Sequence, residues 1–471
     1  MSNLVWRSAR DLVSDMATGA LSAVEVMNAF YDQIEKHNPQ INAIVNLIDR
    51  DAALRLAGSA DAKRQARAPA GPLHGLPLAV KDLVDAKGFA TTFGYRPFAD
   101  SIAQQDALVV ARMRAAGGLV IGKTNVPEFG LGSHTYNDLF GTTSNPYVHD
   151  RTAGGSSGGA AAALACGMLP VADGSDMGGS LRNPASFCNV VGMRPSIGRV
   201  PNAREFGWFG RLSTLGPLAR SVDDCAMLLS VQAGWDSLDP LALPGDGSEF
   251  LTPPNLHGRP LKLAISADLN GLPVDREVRS LIETAGQALA ADGCEVQPAC
   301  PDLTGAMEVF QIQRAATLST LGRRLERTVP NWRDYTKDTA IWNIEQGYAL
   351  TAEQIIRSEL DRTRIYQNVC RFFADFDALL LPAAQVPPFA ASLDWVREID
   401  GQPMATYLDW MAVCCAISIT GLPAISVPAG FTREGLPVGL QIVGGPQADA
   451  RLLGIARRFE QISNFARQRP Q

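Results

Sequence analysis

Thr152–Met193 reads TAGGSSGGAAAALACGMLPVADGSDMGGSLRNPASFCNVVGM, and the rest of the chain is organised around it. Its glycines fall in clusters, and Ser156 and Ser180 each follow a Gly-Gly pair. Glycine costs backbone entropy wherever it is ordered, so this density implies backbone amides brought close to something. Gly154–Gly159 leads into Ala160–Leu164, a good helix former. The second cluster, Gly174–Ser180, follows the apolar run Met168–Ala172. Serine hydroxyls beside exposed amides suggest a nucleophile with a built-in anion cradle.

Away from this stretch, hydrophobic periods predict an alternation of helices and strands. Two helices are expected over 8–37, with a Ser22/Glu25 capping box, and a strand over Ile41–Ile48. Asp49–Arg67 reads as a polar helix, 68–75 as a linker and Leu76–Val80 as a strand delivering Lys81. Helix 106–116 and strand 119–122 precede a turn-rich loop, 128–146. Strands are then expected at 169–173, 261–266, 294–297, 378–381, 424–427 and 438–443. Helices are expected at 221–233, 275–291, 304–328, 351–374, 404–417 and 447–463. Such alternation implies a layered α/β fold with helices on both faces of a sheet. No internal repeat or low-complexity tract is visible.

The chain has 471 residues, 42 basic and 48 acidic, for a net charge of −6. That balance, without a basic run, argues against nucleic acid and anionic membranes as partners. The eight cysteines form no C-x-x-C pair and read as buried free thiols of a reducing compartment. The N-terminus shows no apolar signal segment. The uncharged run 411–432 is long enough to span a bilayer but is broken by Gly421, Pro423, Pro428 and Gly430, so it reads as core. A soluble cytoplasmic protein is expected, with no cofactor: the five histidines and the cysteines show no metal-ligand spacing.

Three separated motifs resemble the amidase signature family, serine hydrolases that cleave amides without a histidine. They are Leu78-Ala79-Val80-Lys81-Asp82, Gly154–Gly159 and Asp176–Arg182. The spacings agree too, 75 residues from Lys81 to Ser156 and 24 from Ser156 to Ser180. The resemblance implies Ser180 as acylated nucleophile, Ser156 as a bridging serine with a cis peptide, and Lys81 as base. It implies a single-domain α/β fold over 1–471, a large mixed sheet covered by helices on both faces. Within it, 1–67 would be N-terminal helices, about 70–300 and 377–465 the core, and about 304–376 a variable helical pocket region. Ala153 stands where the family commonly has proline, and Met177 where it has threonine.

Chemistry fits these roles. Serine is a weak nucleophile and needs a base. Lysine, near pKa ~10.4 in water, must fall by ~2–3 to act near pH 7–8, which takes roughly 3–4 kcal/mol of desolvation. Lys81 follows an apolar run that supplies it, and the adjacent Asp82 should face the other way along the strand. Backbone amides of Met177, Gly178, Gly179 and Ser180 would cradle the oxyanion. Asp176 and Arg182 read as a structural ion pair, in preference to a substrate contact. Ser157 reads as capping the following helix, with a second role as a helper hydrogen bond to the relay.

Two other patterns are set aside. Gly117–Thr124 fits a phosphate-binding loop, yet Leu119–Ile121 reads as strand and Pro127 follows closely. Gly154–Gly158 fits a hydrolase nucleophile elbow, yet only His257 follows it. The expected substrate is a small-molecule amide with a neutral, apolar or aryl acyl group, and esters should react as well. Aromatics from 304–376 and 389–411, Phe310, Trp342, Tyr407 and Trp410 among them, are expected mostly as core, with a few lining the acyl pocket. A homodimer is left open. The alternative is the glutamine-hydrolysing subunit of a tRNA-dependent amidotransferase, whose core commonly has Leu-Lys-Pro-Thr where this chain has Met193-Arg194-Pro195-Ser196. A catalytically idle binding protein is argued against by the intact Lys81, Ser156 and Ser180.

Overall fold

The computed structural model describes residues 4–67, 70–203 and 211–470. Residues 68 and 69 of the expected linker lie outside the described residues. An eight-stranded mixed sheet forms the centre. Its order runs Val171–Asp176, Thr214–Ala219, Val191–Arg194, Ala424–Phe431, Pro437–Gly444, Ala378–Pro382, Lys262–Ile265, Glu295–Pro298. The first six strands pair antiparallel and the last two join in parallel. Strand Ala378–Pro382 shows why the sheet is covered twice. Ala378 and Leu380 belong to one buried cluster, and Leu379 and Leu381 to another on the opposite face. A near-continuous apolar run is what burial on both faces demands. Helices Val222–Gln232, Arg276–Ala291 and Asp449–Ser463 pack into the first cluster, and Ala306–Thr328 and Ala412–Ser418 into the second.

A smaller sheet positions the lysine. Strand Pro77–Lys81 runs parallel to Leu119–Thr124, with Lys81 opposite Thr124. Both are buried almost throughout. Lys123 is therefore a buried strand residue and not part of a phosphate loop: its Nζ donates to Val84 O at 2.5 Å and meets Asp82 Oδ1 at 3.6 Å. Asp82 does face away from the serines, toward Lys123 and Thr92.

Most expected elements are present, with a few differences. The expected strand over 41–48 shrinks to Ile44–Val45, because Asn42 and Asn46 on either side take left-handed backbones. Helix 404–417 begins only at Ala412, after a single turn at Asp409–Met411. There the Asp409 carboxylate accepts the Thr406 N–H at 2.6 Å and the Thr406 hydroxyl accepts the Leu408 N–H at 3.3 Å, side-chain bonds that shape the chain ahead of the helix. Strands Val191–Arg194 and Thr214–Ala219, and helix Asp338–Ala349, come in addition to the expected elements. Among the described residues no helix is long and apolar enough to cross a membrane. All eight cysteines are free, six buried and Cys300 and Cys370 half-buried.

Candidate active site

The turn Ala153–Ser157 and the turn Met177–Leu181 meet above strand Val171–Asp176. The Ser157 N–H donates to Ser180 O at 3.2 Å and ties them together. Gly158, which opens helix Gly158–Ala165, lies so close to Thr135 that an added Cβ would stand 2.3 Å from Thr135 Oγ1. Gly179 has φ +114°, a region open to glycine. These requirements explain Gly158 after Ser156 and Gly179 before Ser180. The Gly155–Ser156 peptide bond is cis.

Lys81 enters from the neighbouring sheet with no exposed surface. Its Nζ lies within hydrogen-bond distance of Ser156 Oγ at 2.9 Å, Ser157 Oγ at 2.7 Å, Ser175 Oγ at 3.0 Å and Ser175 O at 3.2 Å. Burial pushes the Lys81 pKa down to about 7, against the upward pull of Asp173 and Asp176. Asp173, also buried, accepts the Lys81 backbone N–H at 3.1 Å, and burial raises its own pKa to about 6. Lys81 thus has a neutral form at ordinary pH and a serine hydroxyl in hydrogen-bond reach, which is what a general base requires. Ser156 and Ser180 line one cavity of about 920 Å³.

Asp176 and Arg182 form the expected ion pair, both fully buried. Arg182 grips the carboxylate with two bonds of 2.9 and 3.0 Å, and also donates to Gln441, Ser418 and the Cys414 carbonyl. Arg194, which sequence reasoning missed, adds a second cation at 3.4 Å from Asp176 Oδ1. Burial favours the neutral acid, but the two guanidiniums outweigh it and hold Asp176 well below the usual carboxylate range. This cluster lies beneath the Ser180 turn rather than on the cavity wall.

Two expectations are corrected. Ser157 occupies the cap position of its helix, yet its side chain makes no cap bond; its backbone is not extended, and Lys81 engages the hydroxyl instead. The Gly179 amide is not free for an oxyanion, because it donates to Asp176 Oδ1 at 2.8 Å. Met177, Gly178 and Ser180 N–H meet no backbone acceptor among the described residues. His257 is largely exposed and lies 4.0 Å from Asp292 rather than in the cavity with Ser156, which disposes of the nucleophile-elbow reading.

The cavity wall also differs from expectation. Apart from Met411 at the far end of 389–411, the lining has no contribution from that second region, and none of the expected aromatics reaches it. Among the described residues its rings are Phe93, Phe98 and Phe129, with Leu131, Leu318 and Leu321. The long helix Ala306–Thr328 contributes Arg314, Thr317, Arg324 and Arg327 as well. Among the described residues no cluster of His, Cys, Asp or Glu is placed to hold a metal.

The Amidase family model matches residues 25–453. The chain belongs to the amidase family. An acylamidase of Rhodococcus erythropolis is 35% identical over 99% of this chain and 98% of its own length. A glutamyl-tRNA(Gln) amidotransferase component of Carboxydothermus hydrogenoformans is 32% identical over 99% of both chains. The crystal structure of a bacterial aryl acylamidase of the amidase signature family superposes with TM-score 0.89 at 28% identity, covering 99% of each chain. This amidase is accordingly a mixed α/β hydrolase of amide C–N bonds, in one domain, as its motifs implied.

Sequence reasoning placed Lys81, Ser156 and Ser180 together but missed their surroundings. Asp173 carries a signal, an acid inside an apolar run, and Arg194 carries a similar one. Ser175 and Arg314 carry none that periodicity could reveal.

Proposed function

We propose that this amidase hydrolyses a small carboxylic amide with an apolar or aryl body, and esters of the same acids, through an acyl-enzyme on Ser180. The observation that carries the reading is the buried Lys81 amine, 2.9 Å from Ser156 Oγ, with its pKa lowered to about 7. Neutral Lys81 takes the Ser156 proton, Ser156 takes that of Ser180, and Ser180 Oγ bonds to the carbonyl carbon. Negative charge on the carbonyl oxygen meets the Met177, Gly178 and Ser180 amides, worth roughly 10²–10³ in rate per donor. Ser156 then passes one proton to the leaving nitrogen and recovers one from Lys81, the C–N bond breaks, and water repeats the cycle at the ester. Asp176, Arg182 and Arg194 brace the turn, and Ser157 with Ser175 orients Lys81. The apolar rings of the cavity and the similarity to acylamidases support the substrate body.

The test is Lys81→Ala assayed on a pool of aryl and alkyl amides. We expect a loss of roughly 10²–10⁴-fold, the contribution of a positioned base. Retained amide turnover at neutral pH would sink the relay.

Similarity to a glutamyl-tRNA(Gln) amidotransferase component favours a second reading, glutamine hydrolysis within a complex. Glutaminase activity that emerges only on adding a partner protein would establish it over the first.

A further inference from the structure

We propose that Arg314 anchors a carboxylate on the substrate, so that the preferred amides carry an acid group on an apolar or aryl body. The proposal rests on the amide-hydrolase reading of the same cavity and names the substrate class within it.

Arg314 lies on helix Ala306–Thr328, is 3% exposed, and still lines the cavity that holds Ser180. Its hydrogen-bond partners are all neutral. Nε donates to Asn343 Oδ1 at 3.3 Å, one terminal nitrogen to the Tyr407 hydroxyl at 2.7 Å, and the other lies 3.3 Å from Met177 Sδ. A thioether is a weak acceptor, and guanidinium carries five donors, so this last nitrogen has donors to spare. Among the described residues no carboxylate forms an ion pair with it. The other buried arginines differ. Arg182 and Arg194 both meet Asp176, Arg199 meets Asp449, and Arg458 meets Asp292. Buried charges are paired as a rule. An arginine whose fixed fork is held by Asn343 and Tyr407, with the nitrogen beside Met177 engaged only by a weak thioether acceptor, is built to receive a planar anion.

The rest of the cavity agrees in sign. Arg324 and Arg327, from the same helix, are exposed at its wall, while Asp85 is the one acidic residue lining it among the described residues. A chain of net charge −6 thus shows its substrate a positive wall. That departs from the neutral acyl group expected from composition. It leaves the apolar body in place, because Phe93, Phe129 and Leu318 share the cavity.

Two matched series test this. In one, anilides of short acyl chains end in carboxylate or in methyl at equal length; in the other, carboxylate or methyl sits on the aniline ring. The readout is the ratio of kcat/KM, acid over neutral, which a purely structural role of Arg314 would not move. We expect a ratio well above one in at least one series. In Arg314→Met it should fall by roughly 30-fold or more, the effect of truncating one partner of a buried charge pair. Arg314→Lys should recover part of it. Ratios at or below one in both series, or ratios unchanged in Arg314→Met, would overturn the anchor. Binding of the same intact amides to Ser180→Ala, with and without Arg314→Met, is read by calorimetry and needs no turnover. Arg314-dependent binding of the acids without hydrolysis by wild type would uphold the anchor and reject the hydrolase reading. Arg314-independent binding would reject the anchor alone. Should Arg314→Met unfold, Arg314→Gln, which keeps donors toward Tyr407, replaces it in every arm.

Discussion

Asp176→Asn separates a structural role from a substrate contact. The wild-type carboxylate accepts the Gly179 N–H at 2.8 Å, the Leu181 N–H at 3.1 Å and two Arg182 bonds, with Arg194 at 3.4 Å. All three side chains are fully buried. Asparagine keeps the shape but removes the charge and turns one acceptor into a donor. Two guanidiniums are then left without an anion, and breaking a buried pair in this way costs about 3–5 kcal/mol. Unfolding entropy near 60 °C is about 2.1 cal/mol/K per residue, or about 1 kcal/mol/K for 471 residues. The melting temperature should therefore drop by about 3–5 °C, measured by calorimetry at pH 7. The wild-type carboxylate has its pKa depressed, so its contribution is present above the ordinary carboxylate pKa and is lost only as pH falls through the lower folded value. The wild-type/variant difference should therefore persist unchanged from pH 8 to pH 5. Because the carboxylate also holds the turn that carries Ser180, kcat should fall more than KM rises. An unchanged melting temperature with a raised KM would refute the bracing role and make Asp176 a substrate contact.

Two further outcomes follow from the same geometry. The relay needs neutral Lys81, so kcat/KM should rise about tenfold per pH unit below pH about 7 and level off above it. A profile flat from pH 5 to 9 would contradict it. Leu380→Ala, in a fully buried strand of the central sheet, should cost about 2–5 kcal/mol in a denaturant melt while leaving kcat/KM of the folded fraction within a few-fold. A loss under 1 kcal/mol would mean that the strand is not packed on both faces.

Ser156 and Ser180 were legible as candidates because their turns are local: the glycine spacing around both lies within one stretch of chain. Lys81 was legible as the end of a short apolar strand, and its role as base came from the resemblance of its motif. Helices with clear caps, such as the Ser22/Glu25 box, were read nearly to their ends. What depends on distant packing was not legible. Thr214–Ala219 contains Pro217 and no alternation, and only its place between two other strands makes it a strand. Gly179 reads as available for an oxyanion until the Asp176 carboxylate is seen on its amide. Among the described residues the pocket rings are Phe93, Phe98 and Phe129, in loops and turns where no periodicity marks a side chain as facing the serines. The aromatics of the helical region were visible, but Trp410, Tyr407 and Phe310 are buried in the second core cluster. Charged residues inside apolar runs, Asp173 and Arg194, were the signal most worth following.

The central claim is a covalent intermediate on Ser180. Intact mass after brief exposure to pooled aryl, alkyl and carboxyl-bearing amides and esters, with Ser180→Ala alongside, tests it directly. The account predicts a gain of one acyl mass in the wild type alone, mapped to Ser180, whose size identifies the acid. Amide turnover with no adduct on Ser180, or an adduct of equal yield in Ser180→Ala, would contradict it.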